Sequence, residues 1–346
     1  MGQLALVVIA RDEARHIARC LESARPVVDT MIVLDTGSAD ATARIAAEHG
    51  ARVEQFTWTG DFAAARNAAL ALSGARWNLV LDADEWLAAD AGGARLLAQA
   101  CAGEPLIGLL PVRLAFDLAG RTLAATTWRA RLLPGDVRYA GTVNEAPVSA
   151  LPRQRIALPI HNDGMRQAGR AARNAQRTQL VAAALAAAPD DAGLLYQAGK
   201  LDEARGAYGA AAGHYLRALE LAQPGDAWRH DLVVRALFSL KMGKEHALAV
   251  QLAELEMANW HDSPDYHFVL GDLLLDLAHC QPERADELLP MIEASWLTCL
   301  ELGEQPDMEG AVSGRGGVLA AHNLALLYES RGDAGRAAHY RALAEA

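Results

Sequence analysis

The sequence is short of several things. It holds four cysteines in 346 residues: Cys20, Cys101, Cys280 and Cys299. No two form a C-x-x-C pair and none joins histidine at a structural-zinc spacing, so neither a disulfide framework nor a zinc knuckle is the source of its fold. No apolar run reaches the roughly 18 residues of a membrane span. There is no N-x-S/T sequon. The opening run Leu4–Ala10 is too brief for a signal segment and lacks a basic n-region ahead of it. These absences lead us to expect a cytoplasmic protein with reduced thiols and no integral membrane segment. Clustered positive charge is missing as well. The net charge is −11 and no like-charge block is long enough to be a tail. Nucleic acid is therefore not an expected partner, because phosphate contacts need grouped Lys and Arg. A phosphate ester held through a metal ion stays compatible with an acidic chain.

What is present is apolar and globular: 52% hydrophobic and 22% charged residues, at a length that suggests two domains. Leu4–Ala10 is a continuous apolar run of the kind a buried parallel strand needs. Helical periodicity follows over Glu13–Ala24 and stops at Pro26. Met31–Leu34, Arg52–Phe56 and Trp77–Leu81 read as further strands. Helices are expected over Ala41–His49, with Gly50 past its end, and over Phe62–Leu72, with Asp61 as N-cap. Strands and helices alternating at this spacing predict βαβ units and a parallel sheet covered on both faces.

In such sheets ligands bind beyond the carboxyl ends of the strands. The segments there are Arg11-Asp12-Glu13, Asp35-Thr36-Gly37-Ser38 and Asp82-Ala83-Asp84. Five carboxylates fall in three neighbouring loops, an arrangement that asks for a positive partner. Asp82 and Asp84 stand two apart, so extended backbone puts both on one face, where they suit Mg²⁺ or Mn²⁺. A lone D-x-D often only caps a helix; its place at the end of the fourth strand gives this one weight.

Beyond Pro105 the pattern shifts. Ile107–Phe116, Thr126–Leu133 and Val137–Val143 read as shorter strands, and the apolar run Ile156–Ile160 ends at His161-Asn162-Asp163-Gly164. From Arg166 onward no strand is expected. There Gly199, Gly206, Ala211, Tyr215 and Ala218 match in spacing Ala325, Gly332, Ala337, Arg341 and Ala344. Small residues at those offsets let paired helices approach closely. Leu194–Ala222 and Ala321–Ala344 thus resemble tetratricopeptide repeats, with Leu232–Met257 and Tyr266–Ala278 as degenerate pairs between them. An ordinary Ala-rich bundle is the alternative.

Four motifs occur in order: Leu6-Val7-Val8-Ile9-Ala10-Arg11-Asp12-Glu13, Val33-Leu34-Asp35-Thr36-Gly37-Ser38, Asp61-Phe62-Ala63-Ala64-Ala65-Arg66-Asn67 and Leu79-Val80-Leu81-Asp82-Ala83-Asp84-Glu85. Together they resemble family 2 glycosyltransferases of the GT-A fold, in the bacterial subgroup with a C-terminal tetratricopeptide-like region, some members of which modify peptides. The resemblance continues through Trp128–Glu145, His161–Gly164 and Pro189–Gly199. It implies an α/β GT-A domain over residues 1–165, a Rossmann-like mixed sheet with helices on both faces, followed by an all-α tetratricopeptide-like domain over 166–346.

The resemblance also implies roles. Ala10, Arg11 and Glu13 would line the nucleoside pocket. Asp35 and Thr36 would contact base or ribose, and Arg66 would stack on the base or pair with phosphate. Asp82, with Ala83 beside it, would meet ribose or the metal shell. Asp84 would ligate Mn²⁺ or Mg²⁺, and His161 would complete the metal–diphosphate shell unless it is merely structural. Glu145 is the candidate base, although the subgroup's His-Glu pair reads Asn144-Glu145 here. Asp136, Asp117 and Asp163 are lesser candidates, and Glu85 is expected to pack or cap. Trp58 and Trp77 are expected in core or pocket wall, and Trp86 there or, less favoured, stacked on a sugar. Trp228, Trp260 and Trp296, with Tyr208, Tyr215 and Tyr266, would line a peptide groove or fill layers between helices. The implied activity is inverting, metal-dependent transfer of a hexose-type sugar from a nucleotide-sugar, by default UDP-linked. The acceptor would be a protein or peptide side chain, or alternatively a polysaccharide or lipid-linked glycan. The helical region would bind that acceptor or pair with a second copy as a homodimer. A non-catalytic repeat scaffold is the reading of another class.

Overall fold

The computed structural model describes residues 3–88, 91–118, 120–141, 143, 145–163 and 170–345. The chain divides into two compact units, residues 1–122 with 127–180, and residues 123–126 with 181–346. The boundary expected at 165/166 therefore falls fifteen residues short of the division at 180/181.

The first unit is built on β1 (Leu4–Ala10), β2 (Thr30–Asp35), β3 (Arg52–Gln55) and β4 (Trp77–Asp82). They pair in parallel in the order β3-β2-β1-β4. Alternation along β1 divides the core. Leu4, Leu6 and Val8 face one cluster with Ile17, Cys20 and Leu21 of α1 (Ile17–Ala24). Val7 faces the other, with Leu34, Val80 and Leu70 of α3 (Phe62–Ser73). Side chains buried like these each contribute about 1.5–3 kcal/mol. Between α1 and α3 in the chain lies α2 (Thr42–Glu48). Asp61 caps α3 as expected, accepting from the Ala64 N–H at 3.0 Å, and Gly74 ends it in the left-handed conformation at φ 58°.

The sheet continues through longer strands. β6 (Ile107–Leu118) and β7 (Arg121–Pro134) outrun the expected segments, and β7 lies antiparallel to β4. Four elements of this unit were not anticipated: β5 (Glu85–Leu87), α4 (Ala91–Ala102), β9 (Ala146–Val148) and β10 (Arg153–Arg155). The strands among them are three residues long, too short to carry a period, and α4 opens with the helix-poor pair Gly92-Gly93. The expected strand Val137–Val143 shrinks to β8 (Arg138–Ala140), in a two-stranded ribbon with β9 (Ala146–Val148). The run Ile156–Ile160 gives way to β11 (Ile160–Asn162), because Pro159 cannot donate to a ladder. β11 runs parallel to β6 and antiparallel to β5.

The second unit is helical. After α5 (Arg170–Ala187) come α6 (Ala192–Glu203), α7 (Tyr208–Leu221), α8 (Arg229–Met242), α9 (His246–Trp260), α10 (Pro264–Cys280), α11 (Ala285–Leu302), α12 (Val318–Ser330) and α13 (Ala334–Glu345). The spacing match in the sequence has a physical basis here. Gly206 and Gly332 occupy equivalent turns at φ 73° and 75°. Ala211, Ala218, Ala337 and Ala344 are buried at the helix contacts. The degenerate repeat turns between α8 and α9 on Lys244, also at positive φ. Trp296, Tyr215 and Tyr266 are fully buried, so these three fill layers between helices and line no groove. Trp228 stacks on Tyr196 at 5.2 Å.

Gly199 gives the clearest test of the hairpin packing. A Cβ there would lie 2.3 Å from Tyr215 Cε1 and 2.5 Å from Cδ1. Gly199→Ala is expected to destabilise the protein by about 1–3 kcal/mol through overpacking. Gly213→Ala, which meets nothing within 4 Å, should instead stabilise by up to about 1 kcal/mol from helix propensity. Thermal unfolding of the two variants side by side checks the pair, and equal midpoints would refute the packing.

Candidate active site

The register places the carboxylate loops together. Ala10 pairs with Asp35 and Ile9 with Asp82, so β1, β2 and β4 end at one edge of the sheet. The first two loops are stitched to each other there. Asp12, at φ 55°, accepts from the Ala39 N–H at 2.7 Å, and its own N–H donates to Ser38 Oγ at 3.0 Å. The Glu13 N–H donates to Thr42 Oγ1 at 2.8 Å, and its carboxylate lies 2.8 Å from His16 Nδ1. Thr36 donates to the Ala10 carbonyl from both its N–H, at 2.9 Å, and its hydroxyl, at 3.2 Å. Asp35 is 2% exposed and accepts from Ser38 and from Gln55 Nε2 at 2.9 Å. It organises its own loop, and a base reaching it would take the place of Gln55. Arg11 points outward, 4.0 Å from Asp12.

The β4 end is held by two guanidiniums. Arg66, from α3, donates from Nη2 to Asp82 Oδ1 at 2.6 Å and from Nε to Glu145 Oε1 at 3.0 Å. Arg131, from β7, donates from Nη2 to Asp82 Oδ2 at 2.7 Å and to Glu85 Oε1 at 2.5 Å. Glu85 Oε2 in turn accepts the Asp82 N–H at 3.0 Å. The result is a chain of alternating charge, Glu145–Arg66–Asp82–Arg131–Glu85, drawn from five separate segments. Burial raises the Asp82 carboxyl, but Arg131 and Arg66 override it and hold it well below the usual range. Burial pushes Glu85 up to about 7, with Arg131 offsetting only part of the effect. Glu85 thus ties backbone to cluster, as its expected packing or capping role requires. Among the described residues the buried donors Arg66 Nη1 and Arg131 Nε have no hydrogen-bond partner.

Asp84 lies outside that chain. Its Oδ1 accepts from Asn162 Nδ2 at 3.0 Å. Ala83 beside it is buried. His161 stacks on Trp86 at 5.6 Å, and the Arg19 guanidinium sits 3.5 Å over the same indole while donating to Asp163 at 2.9 Å. Burial and then Arg113 lower the His161 pKa, which favours the neutral imidazole that a metal ligand needs. Trp86 is engaged by both neighbours and is not an open platform for a sugar. Among the described residues no three or more His, Cys, Asp or Glu are grouped as a metal-binding set. Asp84 offers a carboxylate to a divalent cation, whereas Asp82 is committed to arginine and the His161 ring lies in the stack on Trp86. An oxygen-led, incomplete set of this kind fits Mg²⁺ or Mn²⁺ that draws its other ligands from a diphosphate and water.

The lesser base candidates fall elsewhere. Asp136 follows β7 next to the start of β4, since Pro134 pairs with Trp77, and so lies at the opposite sheet edge from Asp82. Asp117 accepts from Thr122 near the tip of the β6–β7 hairpin. Asn144 lies outside the described residues. Sequence reasoning missed Arg131, Asn162 and Arg19. Arg131 had one available signal, a lone cation directly before the buried pair Leu132-Leu133.

The first unit is thus an α/β domain on a mixed sheet, whose parallel strands end among carboxylates and arginines, and the second is built of helical hairpins. Residues 5–115 match the sequence model described as glycosyl transferase family 2. It is 52% identical over 91 residues to a TPR repeat-containing protein of Synechococcus elongatus, covering 26% of this chain and 23% of that one. It is 37% identical over 87 residues to an uncharacterized glycosyltransferase of Rickettsia felis, covering 25% and 30%. The matches therefore span less than a third of these relatives' own lengths. Among solved structures, glucosyl-3-phosphoglycerate synthase of Mycobacterium tuberculosis, in complex with Mn²⁺, UDP and phosphoglyceric acid, aligns with a TM-score of 0.28 at 24% identity, covering 32% of this chain and 43% of that one. None of the described helices is long and apolar enough to cross a membrane.

Proposed function

We propose that the protein is an inverting, divalent-cation-dependent glycosyltransferase. It moves a hexose-type sugar from a nucleotide-sugar, taken as UDP-linked, to a protein or peptide side chain. The observation that carries this reading is the guanidinium of Arg66, which joins Glu145 to Asp82 across 63 positions of sequence. A candidate base and the D-x-D segment thereby belong to one cluster at the ligand edge of the sheet.

In this reading Asp84 and His161 hold the cation, which when bound neutralises charge on the departing diphosphate. Ala10, Arg11, Glu13, Asp35, Thr36 and Ala83 line the nucleotide side. Glu145 removes the proton from the acceptor nucleophile as it attacks the anomeric carbon. Arg66 orients that carboxylate through its Nε, and a carboxylate near the anomeric centre favours the positive charge of an oxocarbenium-like transition state. The helical hairpins offer stacked surfaces of the sort that bind extended peptides.

Titration calorimetry with UDP, in the presence and absence of Mn²⁺, tests the reading. Binding in the range of about 1 μM to 1 mM, as for typical enzyme substrates, is expected only with the cation. Absence of binding under both conditions would overturn it.

A further inference from the structure

We propose that Arg131 is a positioning residue that sets the orientation of Glu145 without touching it. The inference rests on the proposed base role of Glu145. Arg131 itself is 6% exposed and contacts only Asp82 and Glu85 in the chain of charges. Its effect passes through Asp82. Each oxygen of that carboxylate is given to a different arginine, Oδ1 to Arg66 and Oδ2 to Arg131. With Oδ2 taken, Arg66 can spend only Nη2 on Asp82. Its Nε is then directed at Glu145, and among the described residues its Nη1 is left without a partner.

That orphaned donor shows which way the system relaxes. If Arg131 is lost, Oδ2 becomes available and Arg66 can turn both Nη groups onto Asp82. An end-on, two-bond arginine–carboxylate pair is a strong, directional geometry, and it gives Nη1 the acceptor that it lacks among the described residues, in exchange for the Nε bond. The same rotation turns Nε away from Glu145. The carboxylate then loses the contact that fixes its direction. Arg131 thus acts as a wedge, occupying one oxygen of Asp82 so that Arg66 is shared with the base.

The test uses the full-length protein with Mn²⁺ and UDP-glucose or UDP-N-acetylglucosamine, read as UDP released by hydrolysis. Arg131→Met is expected to lower kcat about 10- to 100-fold, as for residues that orient a reacting group through another, with donor KM nearly unchanged. Arg131→Lys should recover part of the loss, since an ammonium can still occupy Oδ2. In a Glu145→Gln background the same Arg131 substitutions should cost almost nothing further, because the group they position is already disabled. Additive losses, or a loss confined to KM, would overturn the inference. A wild-type protein that releases no UDP, or a Glu145→Gln variant as active as wild type, would instead overturn the reading beneath it. Removing Arg131 leaves the buried Glu85 carboxylate without its cation, so the Met variant risks misfolding. The crystal structure of Arg131→Lys then supplies a readout independent of activity. Lengthening of the Arg66 Nε–Glu145 contact beyond hydrogen-bond reach in part of the molecules is expected, and an unaltered Arg66 would count against the wedge.

Discussion

Replacing Asp84 by alanine is expected to lower cation-dependent release of UDP from a UDP-sugar by about 10³-fold, the scale of several kcal/mol of lost charge stabilisation on the leaving group. The size of the effect follows from how the other carboxylates are used. Asp82 gives both oxygens to arginine, and Glu85 is buried against Arg131 and the backbone. Neither can replace Asp84 as a cation ligand without breaking the ion chain. Asp84→Asn separates charge from fold, because its amide oxygen can still accept from Asn162 in the way that Oδ1 does now. The Asn variant should therefore keep the wild-type unfolding midpoint, and both variants should lose Mn²⁺-stimulated turnover alike. Hydrolysis by Asp84→Ala at the wild-type rate would remove Asp84 from the metal site.

The parts of this site that the sequence announced are those where local chemistry suffices. Leu4–Ala10 is a strand to the residue, since an apolar run ending in charged residues has few other uses in a parallel sheet. Asp61 caps α3 because its position relative to the following helix is decided within one turn. The matching glycines of the helical hairpins carry their conformational reason in their φ angles. What stayed hidden depends on distant pairing. Arg131 matters because β7 runs antiparallel beside β4, bringing its guanidinium to a carboxylate 49 positions away in the chain. No periodicity encodes that. Asp136 seemed as good a base candidate as its neighbours until the same register put it at the wrong edge. Asp82 was read as a nucleotide or metal contact from its motif alone, and the structure adds two arginines that the motif does not contain.

Glu145→Gln should lower transfer about 10²- to 10⁴-fold, the range for loss of a positioned general base, while UDP affinity with Mn²⁺ stays within about threefold, as for a group that acts only in the transition state. The substitution is nearly isosteric, and its amide oxygen can still accept from Arg66 Nε, where Glu145 Oε1 now sits at 3.0 Å. The fold and the Arg66–Asp82 bond should therefore persist. What is lost is the capacity to take a proton. Glu145 has a side chain 15% exposed, so it is reachable by an acceptor yet shielded enough for the Arg66 charge to act on it at short range. If Glu145→Gln instead impaired UDP binding and left the turnover of bound donor intact, Glu145 would belong to the nucleotide pocket, and the base would have to be sought among groups that the acceptor itself brings.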